Sequence, residues 1–518
     1  MLKYKLMRCK KYMKKFTKRK VLIVYPDFVE NDNSTNLKGS YSEGIASISA
    51  VLKKAGHDVA LYHMTAKAPK KEYIDEIKKQ KPDIIAFSAW SIAYKNVKEM
   101  ATWTKEETDI FTVVGGYHAT LSHAEIIHDK GIDCVCIGEG EYPLLDICNR
   151  LDDKKELYKT ESVWFNVKGK IIKNPVRPFI EDLDSLPMPD IDIFDFDKFL
   201  SSKIKTAIVM VSRGCIFSCT YCANTALRAV YPKAKLYGRF KSPEKAIEYL
   251  KKILEKFPYI EYFNFMDSLL NMHKEWFDEF MDLYAKQLSH IPFSCRLRLD
   301  LVDENVARKL KKANCYLVDV GLESGEPEVR TKTLLRPMSN EVIEKAFSYF
   351  HKYKLSTLTF NIVGFPHETI NQVLSTVKLN AKIKPNKMIV NIFYPFTGTK
   401  LREWSLRDGF LPEGTDYDSD VVLTQPQFPS DQVRYARHYF KIYVRKFRIA
   451  YSLPKFIGIP LEKWWSWCYT TRFKPFKLVN YMYKTSMRLF HGTKRNLMKL
   501  SPKLYIKLRN KTVKLKKD

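Results

Sequence analysis

The stretch that decides the fold is "SRGCIFSCTYCAN", residues 212–224. Cys215, Cys219 and Cys222 fall inside eight residues there, in the spacing CxxxCxxC. The apolar run "KTAIVMV" (205–211) precedes them, so the thiols lie just beyond the carboxyl end of a predicted strand. Gly214 supplies a bend immediately before the first thiol. No other cysteine lies between Cys148 and Cys295, and no histidine between His128 and His273. Structural zinc wants four ligands, usually as two paired half-sites, so a zinc site would need a remote partner. Three unliganded loop thiols are a further alternative. Three thiolates with one place open suit a [4Fe–4S] cluster that leaves one iron for another ligand.

The surroundings give the architecture. From 205 to about 400, the strand candidates "KTAIVMV", "YFNFMD", "FSCRLRL", "YLVDVGLES", "TLTFNIVGF" and "MIVNIFYP" alternate with helical stretches. Six βα units predict a partial or full parallel barrel, with its chemistry at the carboxyl ends of the strands. From 21 to 150 a separate series, "VLIVYP", "HDVALY", "DIIAFSA", "IFTVVGG" and "IDCVCIG", alternates with charged helices. Near-continuous apolar strands of this kind read as a parallel sheet covered on both faces. Its ligands are expected beyond the strand ends, at Ser88, Gly115, Gly116, Gly138 and Glu139. Ordinary strand-to-helix turns also favour Gly and Ser. "ESVWFNVKGKIIK" (161–173) reads as a hairpin turning at Lys168-Gly169, and the acidic, Pro-punctuated stretch 181–195 as a linker. Beyond 401 the chain is helical, aromatic and basic. The expected division is 1–20 basic extension, 21–150 first α/β domain, 151–200 hairpin and linker, 201–400 barrel, and 401–518 C-terminal region.

The cysteine spacing, with aromatic Tyr221 before Cys222, resembles the signature of the radical S-adenosylmethionine (SAM) enzymes. In that family the open iron chelates SAM, and an electron from the cluster releases a 5′-deoxyadenosyl radical that removes an unactivated hydrogen. The later strand ends resemble the family in order. Asp267 stands at the second strand, although Ser268 departs from the acid pair of many relatives, and Arg298 and Asp300 at the third. "VGLESG" resembles the family's Gly-x-Glu-Ser segment, which makes Glu323 a SAM contact. "NIVGFPHET" around Gly364 resembles the adenine-side turn, and "YPFTGT" the closing segment. Singly, an acid at a strand end is more often a cap or an ion pair. The resemblance thus implies Cys215, Cys219 and Cys222 as cluster ligands, with Tyr221, Asp267, Arg298, Glu323 and Gly364 seating SAM.

"VVGGYHATL" and "IDCVCIGEGE", ahead of such a core, resemble a cobalamin-binding domain, which implies that Ser88, Gly115, Gly116, His118, Gly138 and Glu139 face cobalamin. The motif Asp-x-His-x-x-Gly, which supplies a lower histidine ligand to cobalt in one branch of that fold, is absent, and His118 lies outside it. The combined resemblance implies a cobalamin-dependent radical SAM enzyme that methylates an unactivated carbon. One SAM would methylate cobalamin and a second would generate the radical. Ring closure, rearrangement or oxidation on the same machinery is the alternative. A tRNA methylthiotransferase fits less well, because the first domain lacks three suitably spaced cysteines.

Charge points to partners. The formal net charge of +30 sits entirely at the ends. Residues 1–20 hold ten Lys/Arg and no acid, residues 431–518 hold 23 against three acids, and the span between them is neutral. The neutral middle speaks against a zinc-stabilised nucleic-acid-binding protein, whose central grooves would track phosphate. Basic ends interleaved with aromatics suit an anionic membrane surface, and RNA less well. No window offers roughly eighteen uncharged apolar residues, and the start has no apolar signal region, so a reducing cytoplasm, with attachment at the inner face of the membrane, is the expected home. The expected partners are a small-molecule or lipid (isoprenoid) substrate and an electron donor such as flavodoxin or ferredoxin.

Overall fold

The computed structural model describes residues 17–28, 39–231, 237–412, 415 and 419–471, with scattered positions between 476 and 504. Most of residues 1–20 and most of residues 472–518 therefore lie outside the described residues. The chain divides into two compact units, residues 1–203 with 229–235, and residues 204–228 with 236–518.

In the first unit, β1 (Lys20–Pro26), β2 (Asp58–Met64), β3 (Ile84–Ser88), β4 (Phe111–Gly115) and β5 (Cys134–Cys136) are parallel neighbours in the order β2-β1-β3-β4-β5. The order reverses between β1 and β3, and this switch point opens a crevice at the carboxyl ends of open α/β sheets. β6 (Val163–Val167) and β7 (Lys170–Lys173) form the hairpin read from the sequence, and it extends the same sheet antiparallel to β5. The helices α1 (Glu43–Lys54), α2 (Lys70–Gln80), α3 (Tyr94–Glu107), α4 (Tyr117–Ile126) and α5 (Glu141–Arg150) connect the strands. In α1, Ile45, Ala46, Ala50 and Leu52 are buried, while Glu43 opens the helix and Lys53 and Lys54 close it, in agreement with its dipole. Leu22, Ile85, Phe87, Val114 and Val135 form the centre of the core, which is why these strands read as unbroken apolar runs.

In the second unit, β8 (Thr206–Val209), β11 (Tyr262–Phe265), β12 (Phe293–Leu297), β13 (Cys315–Glu323), β14 (Thr357–Val363) and β15 (Lys387–Ile392) lie side by side in chain order, all parallel. The short β9 (Ser212–Arg213) and β10 (Arg239–Phe240) pair antiparallel above the end of β8. The intervening helices are α6 (Ala223–Ala229), α7 (Pro243–Lys256), α8 (Lys274–Gln287), α9 (Glu304–Lys312), α10 (Asn340–Lys352) and α11 (Ile370–Ile383). This is the partial six-stranded βα barrel that the sequence predicts. After α12 (Lys400–Arg407), α13 (Ser430–Ser452) lies on α11, and α14 (Lys455–Thr470) folds back on α13. Val373, Val377, Phe440, Val444, Phe447 and Tyr469 bury that junction.

Candidate active site

The three thiols sit in the loop between β9 and α6, at the carboxyl end of β8. Gly214 takes φ +78°, and a Cβ there would stand 2.2 Å from the Tyr237 carbonyl oxygen, so the bend before Cys215 requires glycine. The loop is pinned by groups other than its thiols. The Thr220 hydroxyl donates to the Thr333 carbonyl (2.6 Å), the Thr225 hydroxyl to the Cys219 carbonyl (2.9 Å), and Arg228 to the Ile216 carbonyl (2.9 Å). Cys219 is buried, and Cys215 and Cys222 are half-buried. Burial pushes the Cys222 thiol up to about 11 and raises Cys215, and the neighbouring thiols add to both shifts. Three thiolates crowded here need positive charge to offset desolvation, which an iron–sulfur cluster would supply.

Two buried guanidiniums reach the same sulfur. Arg298 and Arg336 donate to Cys219 Sγ at 3.8 and 3.9 Å. Arg298 is also stacked 3.7 Å above the Phe217 ring and held by Asp300 at 2.7 Å, so it forms the floor of the loop. Arg336 donates to the Gly321 carbonyl (2.8 Å) and faces Glu323 and Tyr221. Burial works against its charge, but Tyr221, Glu323 and Cys219 hold it more firmly protonated than usual. Glu323 ends β13 in the left-handed region at φ +61°, a costly conformation for a side chain with a Cβ. Burial raises its carboxyl pKa, while Arg336 and the Tyr221 hydroxyl lower it. Gly321 makes room for this arrangement, since a Cβ there would lie 2.4 Å from Glu323 Oε1 and 3.2 Å from Arg336 Nη2. The structure thus gathers Cys219, Tyr221, Arg298 and Glu323 around one centre and adds Arg336. Nothing in the local sequence marked Arg336, which lies 117 residues beyond Cys219.

Asp267 is buried at the end of β11. Its Oδ1 accepts from the Val211 N–H (2.9 Å) and the Ser212 hydroxyl, bracing the chain that enters the loop. Burial pushes the carboxyl up to about 6 against those hydrogen bonds, and Oδ2 has no partner among the described residues. On β12 and β13 the facing residues Arg296 and Asp319 add a polar pair that sequence reading missed, with the Asp319 carboxyl pushed up to about 6 by burial. Beside Tyr221, at the ends of β14 and β15, opens a cavity of about 370 Å³ lined by Ile362, Asn391, Phe393, Tyr394 and Phe396. Asp420 and Arg437 also line it, so aromatic and aliphatic walls meet an acid, an amide and a guanidinium, a mixture that suits a small organic ligand with polar groups.

Gly364, at φ +86°, begins the turn after β14. Its N–H and that of Phe365 donate to the buried Glu368 carboxyl at 2.6 and 3.2 Å. Burial pushes Glu368 up to about 8 against those two bonds. A carboxyl with a raised folded pKa holds its proton while the unfolded chain ionises, so its stability contribution is full at low pH and is lost as pH rises from about 4.5 to about 8. The Glu368→Gln variant is therefore expected to match the parent near pH 5 and to exceed it near pH 9 by up to about 4 kcal/mol. Urea unfolding at the two pH values measures this. Equal pH dependence in both proteins would contradict it.

In the first unit, Ser88, Gly115, Gly116, Gly138 and Glu139 fall at or just beyond the ends of the neighbouring strands β3, β4 and β5. A Cβ on Gly115 would meet only Cys136 Cβ, at an ordinary 3.8 Å, so the backbone there is open to a ligand. Gly116 is packed, because a Cβ would stand 2.7 Å from the Ala89 carbonyl oxygen. The Tyr231 hydroxyl occupies the space beside Gly138 and accepts from the Glu139 N–H at 2.9 Å. Tyr231 belongs to the segment 229–235, which follows the thiol loop in sequence yet folds with the first unit. The Glu139 carboxylate accepts from the Ile180 N–H at 2.7 Å. The His118 ring lies 4.3 Å from that of Tyr94, tilted by 42°, and burial pushes its imidazole down to about 4, so it is neutral at pH 7.

Residues 40–147 match the B12 binding domain family, and residues 209–379 the radical SAM superfamily. The chain belongs to the radical SAM enzymes that carry a cobalamin-binding domain. It is 27% identical over 379 residues to an uncharacterized methyltransferase of Pyrococcus horikoshii, covering 71% of this chain and 80% of that one. It is 24% identical to the anaerobic magnesium-protoporphyrin IX monomethyl ester cyclase of Rubrivivax gelatinosus, covering 71% and 66%. Among solved structures, the cobalamin-dependent SAM radical enzyme OxsB, with aqua-cobalamin and SAM bound, superposes with a TM-score of 0.66 at 14% identity, covering 96% of this chain and 75% of that one. For this radical SAM enzyme the donor set fits its cofactors. The half-buried thiols and the unpartnered Asp267 oxygen suit a cluster and its ligand, and the open backbone at Gly115 suits a corrinoid. A cluster binds each thiolate on a different iron, whereas zinc draws all its ligands to one point. Among the described residues no three His, Cys, Asp or Glu side chains converge in that second way.

Proposed function

We propose that this enzyme transfers a methyl group to an unactivated carbon of a small molecule. The observation that carries this is the three-thiol loop beside the Tyr221–Glu323–Arg336 cluster, in one chain with a cobalamin-binding domain. When bound, the cluster and SAM supply a 5′-deoxyadenosyl radical, and cobalamin supplies the methyl group. Cys215, Cys219 and Cys222 hold the cluster. Arg298 and Arg336 offset thiolate charge at Cys219 and limit the approach of water from that side. Tyr221, Glu323 and the Gly364 turn border the space for SAM, and Asp267 braces the loop. Ser88, Gly115, Gly116, His118, Gly138 and Glu139 border the corrinoid crevice. The likeness to a cyclase supports ring closure on the same machinery as the second reading.

The remaining partners belong to the same proposal. A flavodoxin or ferredoxin delivers the electron. The basic ends attach the enzyme to the inner face of an anionic membrane, where a lipid or isoprenoid substrate is at hand. No described helix is long and apolar enough to cross a membrane.

Anaerobic purification followed by iron, sulfide and corrinoid analysis tests the cofactors, and a zinc-only protein would overturn the reading. SAM incubation with a reductant should give 5′-deoxyadenosine. The corrinoid crevice is probed better at Gly115 than at Gly116, where any side chain strikes the Ala89 backbone and disturbs the sheet itself. Gly115→Val is expected to lower corrinoid retention about tenfold, the cost of roughly one misfitted contact, while iron content stays at the parent value. Equal retention would remove Gly115 from the crevice.

A further inference from the structure

The described exposed large hydrophobic side chains are unevenly spread. Thirteen of the twenty-three lie within residues 442–504, so the C-terminal region carries a surface unlike the rest of the enzyme. Its centre is α14. At a helical 100° per residue, Phe456, Pro460, Trp464 and Trp467 fall on one stripe. Phe456 is 78% exposed, Trp464 58% and Trp467 63%. The opposite face holds Gly458, Trp465 and Tyr469, packed against α13. A Cβ on Gly458 would lie 2.4 Å from the Ala450 carbonyl oxygen, so glycine lets α14 seat closely. The Tyr469 hydroxyl donates to the Ala436 carbonyl at 2.9 Å. The inner face is thus committed to the fold, and the outer aromatic stripe is not.

Charge says what meets that stripe. The single acid of α14, Glu462, is paired with Lys378 at 2.8 Å. Lys455 and Lys463 are exposed on α14, and Lys446 of α13 stands 5.9 Å from the Trp465 ring. Residues 431–518 carry a net +20. Pro460 has no N–H to give the Phe456 carbonyl, but on the outer face water or a headgroup can serve that oxygen. Exposed tryptophans and phenylalanine flanked by cations, on a helix too short and polar to span, match an interfacial helix at an anionic bilayer.

We propose that α14 is the element that enters the headgroup layer, with its own lysines and Lys446 of α13 supplying cations beside it. The inference rests on the membrane-surface reading above and assigns that contact to one stripe of one helix. It places the helix pair that follows the barrel against the lipid.

The test uses the full-length protein and vesicles of phosphatidylcholine with phosphatidylglycerol, against pure phosphatidylcholine. Sedimentation should show binding only to the anionic vesicles, weakened by salt. The variant Phe456→Ser/Trp464→Ser/Trp467→Ser should bind about tenfold more weakly or worse, through loss of aromatic burial, while taking up iron and sulfide as the parent does. In the parent, tryptophan emission should shift to the blue on binding. Trp464→Phe/Trp467→Phe should keep the binding and lose most of the shift. If the triple variant binds as tightly as the parent, α14 is the wrong element and the membrane reading survives through other basic segments. If the parent itself stays in the supernatant at low salt, both fail. If the parent forms dimers that the triple variant does not, and neither binds vesicles, a second copy covers the stripe and the proposal is overturned.

Discussion

Replacing Cys219 with alanine should abolish reductive cleavage of SAM and leave the chain folded. The thiol is the innermost of the three and the one on which Arg298 and Arg336 converge. With two thiolates a cubane cluster has two open irons and no fixed position, so iron and sulfide content should fall and 5′-deoxyadenosine should drop to background. The loop keeps its shape, because the Thr220, Thr225 and Arg228 hydrogen bonds and the β9–β10 pairing use backbone and other side chains. Stability of the cluster-free protein should therefore change by only about 1 kcal/mol, the ordinary cost of a small core truncation. The measurements are iron and sulfide analysis, chromatography of the SAM products, and thermal unfolding of both apo proteins. Parent yields of 5′-deoxyadenosine from the variant would remove Cys219 from the site.

What the sequence made legible was what repeats or clusters along the chain. Buried parallel strands must be apolar on both faces, so "VLIVYP" and "TLTFNIV" announced themselves without a structure. The hairpin at Lys168-Gly169 was likewise local, a turn chemistry between two short runs. The thiol triad could be read because cluster ligands lie close in sequence. Arg336 could not, since it acts on Cys219 only after β13 and the segment beyond it are folded back over the loop. Tyr231 was hidden for the same reason. It follows the radical SAM signature in sequence but packs beside Gly138 in the other unit. Gly321 was read as part of a motif, and the structure gives its cause in the space that Glu323 and Arg336 need. A lone arginine or tyrosine has no periodicity, so only tertiary contact gives it meaning.

Arg336 also sets the second large effect. Arg336→Met keeps most of the side-chain volume and removes the charge that faces Glu323, Tyr221 and Cys219. A buried carboxylate left without its cation costs about 3 kcal/mol or more, since desolvation is no longer offset. The Glu323 carboxyl, already raised by burial and lowered by Arg336, should rise further in the variant. A folded pKa held above the unfolded value makes stability full at low pH and diminishing as pH rises through that interval. The deficit of Arg336→Met should therefore be small near pH 5 and large near pH 8. Adding Glu323→Gln removes the ionisable partner and should restore most of the loss at pH 8, whereas Glu323→Gln alone leaves the buried Arg336 guanidinium without its carboxylate and should itself be destabilising at both pH values. A purely steric role for Arg336 would give a deficit that neither pH nor the second substitution changes. Unfolding of the four cluster-free proteins at both pH values separates the cases. If Arg336→Met lies within about 0.5 kcal/mol of the parent at pH 8, as an ordinary surface change would, the guanidinium is not what lowers the Glu323 carboxyl pKa beside the thiols.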